Sequence, residues 1–391
     1  MLRCLLALVF VVSFVSGLNN GVGSTPQMGW NSWNYYACDG YNYTVLRQTV
    51  DAFFTQGLYA AGYNYLNIDD CWAEYYRTSN GTLQPDKQKF PQGETMQDLI
   101  DYVHQRGMLF GLYSDAGERT CANHDPGSLG HEQIDAQTFA DWGVDYLKYD
   151  NCNNEGERAL ERYPPMRDAI LSTNRPLFFS LCEWGRERVP TWGRAVGNSW
   201  RTTKDISDHW ESMLYNLYLN NHWVDYAGPG GWNDPDMLEV GNGGMTTTEY
   251  ISHFSLWSLM KAPLIIGCDV ITMDATTRGI LTNTEVIAVN QDSRGIQGKL
   301  IRSPTDTTEV WAGPLTNGNV AAILFNRGRS AANITMEWDD LNIIPSVTAS
   351  VRDLWAHKDL GTFSRSYTGL VESHGVLMFK IIPSYSLDYA Q

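Results

Sequence analysis

The sequence predicts a (β/α)8 barrel followed by a C-terminal antiparallel β-sandwich, and two observations carry that expectation. Eight short β-like runs alternate with amphipathic helical stretches over most of the 391 residues, the pattern of a parallel sheet with helical crossovers. Past Glu285-Val-Ile-Ala-Val-Asn290-Gln-Asp292 the texture changes to short alternating runs separated by turn residues, the pattern of a sandwich. An open doubly wound sheet is the rival arrangement. It is disfavoured because no G-x-G-x-x-G or Walker loop follows any strand.

In order, the expected barrel strands are Pro26–Trp33, Tyr63–Asp70, Met108–Ala116, Asp145–Asn151, Pro176–Glu183, Ser199–Lys204, Gly230–Met237 and Pro263–Asp269. Amphipathic periodicity places helices at Tyr43–Gln56, Met96–Arg106, Ile134–Trp142, Asp208–Asn220 and Thr247–Lys261. The sandwich runs are Glu309–Ala312, Val320–Phe325, Ala332–Glu337, Val347–Asp353 and Gly375–Ile381. The expected division is residues 1–17 as a signal peptide, 18–297 as the barrel and 298–391 as the sandwich.

The N-terminus supports an extracellular address. Met1-Leu-Arg3 is a basic start, Leu5–Val15 is an apolar run too short to span a bilayer, and Val15-Ser16-Gly17 offers small residues for cleavage. Sequons at Asn42, Asn80 and Asn333 fit secretion. Cys4 leaves with the leader. The other six cysteines should partly pair in an oxidising compartment, although spacing leaves the connectivity open. A net charge of -16 argues against nucleic acid and anionic membranes as partners. The histidines are scattered, so neither a metal site nor a cofactor is expected. The 14 Trp and 21 Tyr, beside little charge, suit a neutral polyhydroxylated ligand.

In a (β/α)8 enzyme the chemistry lies at the C-terminal strand ends. Here those ends carry Trp30 and Trp33, Asp69-Asp70, Tyr113 and Asp115, Lys148 and Asp150, Cys182-Glu183-Trp184, Arg201 with Asp205, Trp232-Asn233-Asp234-Pro235-Asp236, and Asp269. A ring of carboxylates with aromatic platforms matches sugar recognition, since carboxylates accept hydroxyl hydrogen bonds and indoles stack on the apolar ring face. Glycoside hydrolysis needs two carboxyl groups with different tasks. Asp150 suits the nucleophile, with Lys148 expected to hold it ionised. Spacing leaves Asp205 and Asp236 tied as the proton donor. Asp69-Asp70 has a rival reading as a divalent-cation ligand pair.

Five ordered motifs then carry a resemblance. They are Met28-Gly-Trp-Asn-Ser-Trp33, Ile68-Asp-Asp-Cys-Trp72, Leu147-Lys-Tyr-Asp-Asn-Cys152, Ser180-Leu-Cys-Glu-Trp-Gly185 and Gly231-Trp-Asn-Asp-Pro-Asp-Met237. Together they resemble glycoside hydrolase family 27, closest to its secreted fungal and plant α-galactosidases. The resemblance implies a retaining double displacement with Asp150 as nucleophile and Asp205 as acid/base. It implies sugar contacts from Trp33, Asp69, Asp70, Tyr113, Lys148, Cys182, Trp184, Arg201, Asp236 and Met237. It implies galactose-containing oligosaccharides or polysaccharides as partners and the disulfides Cys38–Cys71 and Cys121–Cys152, and it is compatible with a homo-oligomer. Cys182 is then expected as a free thiol, and Cys268 as buried and inert. Bulky Trp184 is expected to exclude 2-acetamido sugars. Other activities of the same family, an α-N-acetylgalactosaminidase or β-L-arabinopyranosidase, and a non-catalytic galactose-binding protein are the alternatives.

Overall fold

A computed structural model describes Leu18 and residues 20–385; the expected signal peptide lies outside the described residues. The barrel strands are β1 (Met28–Asn31), β2 (Tyr65–Asn67), β3 (Leu109–Asp115), β4 (Tyr146–Asp150), β5 (Phe178–Leu181), β6 (Ser199–Arg201), β7 (Trp232–Asp234) and β8 (Leu264–Ile266). They form one parallel sheet in the order β7-β6-β5-β4-β3-β2-β1-β8, so all eight expected strands are present.

Closure between β7 and β8 is made beyond the end of β7. Pro235 has no N–H to give the ladder, and Asp236 stands in the left-handed region at φ 86°. Pairing resumes at Leu238, whose N–H donates to the Ile265 carbonyl at 2.8 Å and whose carbonyl accepts from Gly267 N–H at 3.0 Å. The kink that interrupts the strand therefore faces the mouth of the barrel.

Helices at Tyr43–Thr55, Met96–Gln105, Glu132–Trp142, Trp210–Asn221 and Thr247–Leu259 match the amphipathic expectation within a few residues. Their N-termini follow capping chemistry: Thr95 with Asp98 and Thr246 with Glu249 form reciprocal capping boxes, and the sequon Asn42 caps its helix through Val45 N–H. The helix Ala159–Ser172 follows β4 as the strand–helix alternation implies, although its bounds were not among those read from periodicity. It runs through Pro164 and Pro165, whose missing donors read as a break. Its buried Arg162 holds the β3 and β4 loops, donating to the Ala116 carbonyl at 2.6 Å and to Asn151 Oδ1.

The C-terminal unit comprises β9 (Lys299–Arg302), β10 (Thr308–Pro314), β11 (Val320–Asn326), β12 (Ala332–Glu337), β13 (Thr348–Asp353), β14 (Lys358–Ser364), β15 (Ser366–Val371) and β16 (Val376–Ser384). Six strands form an antiparallel sheet, β14-β13-β16-β11-β10-β9, and β12 pairs with β15 in a two-stranded sheet. Val310, Leu324, Ile334, Met336, Trp338 and Phe379 share its buried core. β9, β14 and β15 were not expected: β9 has no fully buried residue, β14 is largely exposed, and β15 alternates only over its last four residues.

The two units share a polar junction. Buried Glu309 of β10 accepts from Tyr218 Oη at 2.7 Å, Trp311 Nε1 at 2.7 Å and Arg327 Nε at 2.9 Å. Trp210 stacks on His374 with ring centroids 4.5 Å apart.

Candidate active site

Trp33, Asp69, Asp70, Tyr113, Lys148, Asp150, Trp184, Arg201, Asp205, Asp236 and Met237 line one cavity of about 250 Å³ at the C-terminal end of the barrel strands. Asn34 and Ile206 also line it and were not foreseen. Asn34 is tied to buried Glu239 at 2.7 Å, a contact across the chain that spacing does not reveal.

The cavity is built strand by strand. At the end of β1, Asn31 Oδ1 accepts from Trp33 N–H at 2.8 Å and turns the chain, while its Nδ2 donates to Asp69 Oδ2 at 2.7 Å. Beyond β2, Asp69 and Asp70 are both buried. Asp70 accepts from Cys71 N–H at 2.7 Å and Ala122 N–H at 2.8 Å. Burial, reinforced by Asp69, nonetheless pushes the Asp70 carboxyl above its usual range.

Asp150 closes β4, only 5% exposed. Its Oδ2 accepts from Tyr113 Oη at 3.0 Å, and its Oδ1 accepts from Trp184 Nε1 and Asn151 N–H, each at 2.9 Å. Burial pushes its pKa up to about 6 despite the opposing Lys148 ammonium. Lys148 acts on Asp150 in the expected direction, but its closest contact is elsewhere. Its Nζ donates to Asp69 Oδ2 at 2.7 Å, so its direct partner is Asp69, and burial outweighs its pull on Asp150.

Asp205 and Asp236 differ sharply. The Asp205 side chain is 79% exposed at the cavity mouth, with one oxygen held by Arg201 Nη2 at 3.1 Å. Desolvation by the surrounding protein raises its pKa, but Arg201 and Lys148 outweigh that and hold the carboxyl below its usual range. The Asp236 side chain is 6% exposed. Both its oxygens are engaged, by Ile206 N–H at 2.8 Å, Met237 N–H at 2.9 Å and Arg201 Nη2 at 3.0 Å.

Some of the expected ring does not reach the cavity. Trp30 is buried and donates to the Cys268 carbonyl at 2.9 Å. Asp115 lies behind the Cys121–Cys152 disulfide, accepting from Cys152 N–H at 3.0 Å. Glu183 folds back onto Glu187 N–H at 2.7 Å, and Asp269 caps its own loop through Ile271 N–H at 2.8 Å. Cys182 lines a smaller recess beneath the cavity, its sulfur 3.6 Å from Arg201 Nη1.

Cys38–Cys71 and Cys121–Cys152 are disulfides, and Cys182 and Cys268 are buried free thiols. Cys71, Trp184 and Asp236 take left-handed φ angles of 72°, 67° and 86°, a conformation that costs a non-glycine residue about 1–3 kcal/mol. Each adjoins or belongs to the set of carboxylates. The cation reading of Asp69-Asp70 fails on geometry. Three donors, Asp70 N–H, Asn31 Nδ2 and Lys148 Nζ, already occupy the Asp69 oxygens, and the ammonium stands where a cation would. The cluster of Asp115, Cys121 and Cys152 offers no thiolate, because the two sulfurs are bonded to each other.

Residues 25–292 match the family model described as alpha galactosidase A, and residues 305–381 match that of the alpha galactosidase C-terminal beta sandwich domain. An alpha-galactosidase of Cyamopsis tetragonoloba is 55% identical over 93% of this chain and 88% of its own length. The crystal structure of alpha-galactosidase I from Mortierella vinacea superposes with a TM-score of 0.89 at 40% identity, covering 94% of this chain and 99% of that one. The Saccharomyces cerevisiae alpha-galactosidase solved with raffinose gives 0.86 at 33% identity, covering 93% and 99%. With a barrel, a sandwich and a carboxylate-lined cavity in common order, the chain belongs to the α-galactosidases of glycoside hydrolase family 27.

Proposed function

We propose that the protein is a secreted, exo-acting α-galactosidase that releases terminal non-reducing α-D-galactosyl groups from oligosaccharides, galactomannans or glycoconjugates with retention of configuration. The observation that carries this reading is the convergence of Asp150 and Asp205, in contrasting environments, on one cavity with Asp69, Asp70, Lys148 and Arg201. The cavity, about 250 Å³, suits one monosaccharide with the remainder of the substrate outside.

Asp150 as carboxylate attacks the anomeric carbon while Asp205 protonates the departing glycosidic oxygen, giving a β-galactosyl ester and the free leaving group. Asp205, now ionised, takes a proton from water. The water oxygen attacks the same carbon, the ester bond breaks, and α-galactose leaves with Asp150 as carboxylate again. Asp69 and Asp70 accept the hydroxyls at carbons 4 and 6, so an epimer leaves buried carboxylates unpaired. Trp33 and Trp184 supply apolar faces for the ring, with Tyr113, Lys148, Arg201, Asp236 and Met237 completing the sugar site. Cys182, one layer lower, contributes to its floor. Trp184, hydrogen-bonded to the nucleophile, places an indole where bulk works against 2-acetamido sugars.

The solvent-exposed sequons Asn42, Asn80 and Asn333 and the two disulfides support secretion. NMR of an aryl α-galactoside digest tests the reading: α-galactose appears first, and first-formed β-galactose overturns retention. Asp150→Asn abolishes turnover while galactose still binds.

A further inference from the structure

A second concave surface is formed by the loops that follow β2 and β3, on the same face of the barrel as the catalytic cavity. It encloses about 340 Å³ and is lined by Tyr75, Tyr76, Glu118, Arg119, Leu129 and their neighbours. Tyr75 and Tyr76 are 44% and 72% exposed, and Tyr76 is the most exposed large apolar side chain among the described residues.

These rings are not loosely hung. The Arg119 guanidinium lies 3.9 Å from the Tyr75 ring centroid, and its Nη1 donates to the Tyr75 carbonyl at 2.8 Å. Tyr76 meets Tyr75 edge-on at 4.7 Å. A fixed pair of exposed aromatics binds without a large ordering cost.

Continuity and charge point to the occupant. The segment from Asp70 to Tyr76 and the segment from Glu118 to Cys121 each have one end in the cavity and the other in the groove. Ala122 N–H, just beyond Cys121, donates to Asp70 Oδ2 at 2.8 Å, which clamps the two segments together. The formal charges of the groove balance in number. Arg77 is paired bidentately with Asp135 at 2.6 and 2.7 Å, and the other Arg and Glu of the lining, Arg119 and Glu118, are one of each sign.

We infer that this groove is a carbohydrate subsite holding the neutral backbone of a galactosyl-substituted polysaccharide while its side group enters the cavity. The inference rests on the α-galactosidase reading and adds to it a preference for branched polymer over short galactosides.

The test compares the wild type with Tyr75→Ser/Tyr76→Ser and with Tyr76→Ser alone. The expected result is an aryl α-galactoside kcat/KM unchanged within about twofold, and a galactomannan kcat/KM about tenfold lower. Native electrophoresis in a galactomannan gel should retard the wild type more than the variants. Undiminished polymer hydrolysis, or an equal fall on both substrates, overturns the inference. If the double variant does not fold, Tyr76→Ser decides alone, since that side chain is mostly in solvent. If the wild type cleaves neither substrate, the α-galactosidase reading fails separately, and equal gel retardation of wild type and variants still overturns the subsite.

Discussion

Lys148 Nζ stands 2.7 Å from Asp69 Oδ2, bridging β4 to the end of β2, so the ammonium that faces Asp150 is anchored by a second carboxylate. The pair makes two opposite corrections to the nucleophile. Lys148 lowers the Asp150 pKa and Asp69 raises it. Removing either charge should therefore move the alkaline limb of the pH–rate profile in a known direction. Asp69→Asn deletes the charge that raises Asp150, so the limb moves to lower pH. Lys148→Met deletes the charge that lowers it, so the limb moves up. Both variants should lose on the order of a hundredfold or more in kcat/KM, because a buried polar partner is left unmatched. Shifts of the same sign in the two variants would sink this account.

The pH optimum should lie on the acid side. The chemistry needs one proton on the Asp150–Asp205 pair: with both ionised there is no acid, and with both protonated there is no nucleophile. Burial lifts Asp150 to about 6, while Arg201 holds Asp205 below its usual range. The pair titrates as a unit, and its higher macroscopic pKa sets the alkaline limb. kcat/KM for an aryl α-galactoside should therefore fall as pH rises through about 6. A plateau extending above neutrality would contradict the environments described.

Asp205 and Asp236 were tied on sequence spacing, and their surroundings give a way to separate them. Asp205 opens to solvent at the mouth, whereas Asp236 is closed on Arg201 and two backbone donors. If Asp205 is the proton donor, Asp205→Asn should lower kcat/KM about 10²–10⁴-fold for an alkyl galactoside, whose leaving group needs the proton. It should lower it far less for a dinitrophenyl galactoside, which needs none. Asp236→Asn should depress both substrates alike, because it loosens Arg201 rather than removing an acid. A leaving-group dependence in Asp236→Asn instead would reverse the assignment.

These contrasts show where sequence was sufficient and where it was not. Short apolar runs alternating with helical stretches were enough to place eight strands in a ring, because the buried strand pattern and the polar loop after it are both local. The bounds of helix Ala159–Ser172 were not legible because Pro164 and Pro165 interrupt the local helical pattern. Within the site, residue type and strand position found Asp69, Asp150 and Arg201. They also enrolled Asp115, Glu183 and Asp269, whose side chains turn back onto nearby backbone. Strand position fixes where a Cα lies, but side-chain direction depends on which donors happen to stand nearby. The same limit hid the Lys148–Asp69 bond. Lys148 and Asp150 share a strand face, so they look like partners, but Asp69 arrives from another strand with a better-placed oxygen.

The barrel holds several buried carboxyls whose pKa values are raised, and their sum should make the protein more stable in mild acid than near neutrality. Burial lifts Asp125, Glu183 and Glu239 to about 7, and Asp150 and Asp234 to about 6. In the unfolded chain each titrates near about 4. Between the two values the folded state binds more protons, so stability present in acid is lost as pH rises through about 6–7. His253 works the other way. Burial lowers it to about 3, so it favours folding as pH rises toward its unfolded value near about 6.5. One histidine does not offset these carboxyls, and Tm should be several degrees higher at about pH 5 than at about pH 7.5. Glu183 separates this effect from catalysis because it lies outside the cavity. Glu183→Gln keeps its shape, accepts the same Glu187 N–H bond and cannot ionise, so the variant should show a shallower decline of Tm over that range. A Tm that climbs from pH 5 to 7.5 in the wild type, or an unchanged slope in Glu183→Gln, would mean that these carboxyls are solvated in the folded state.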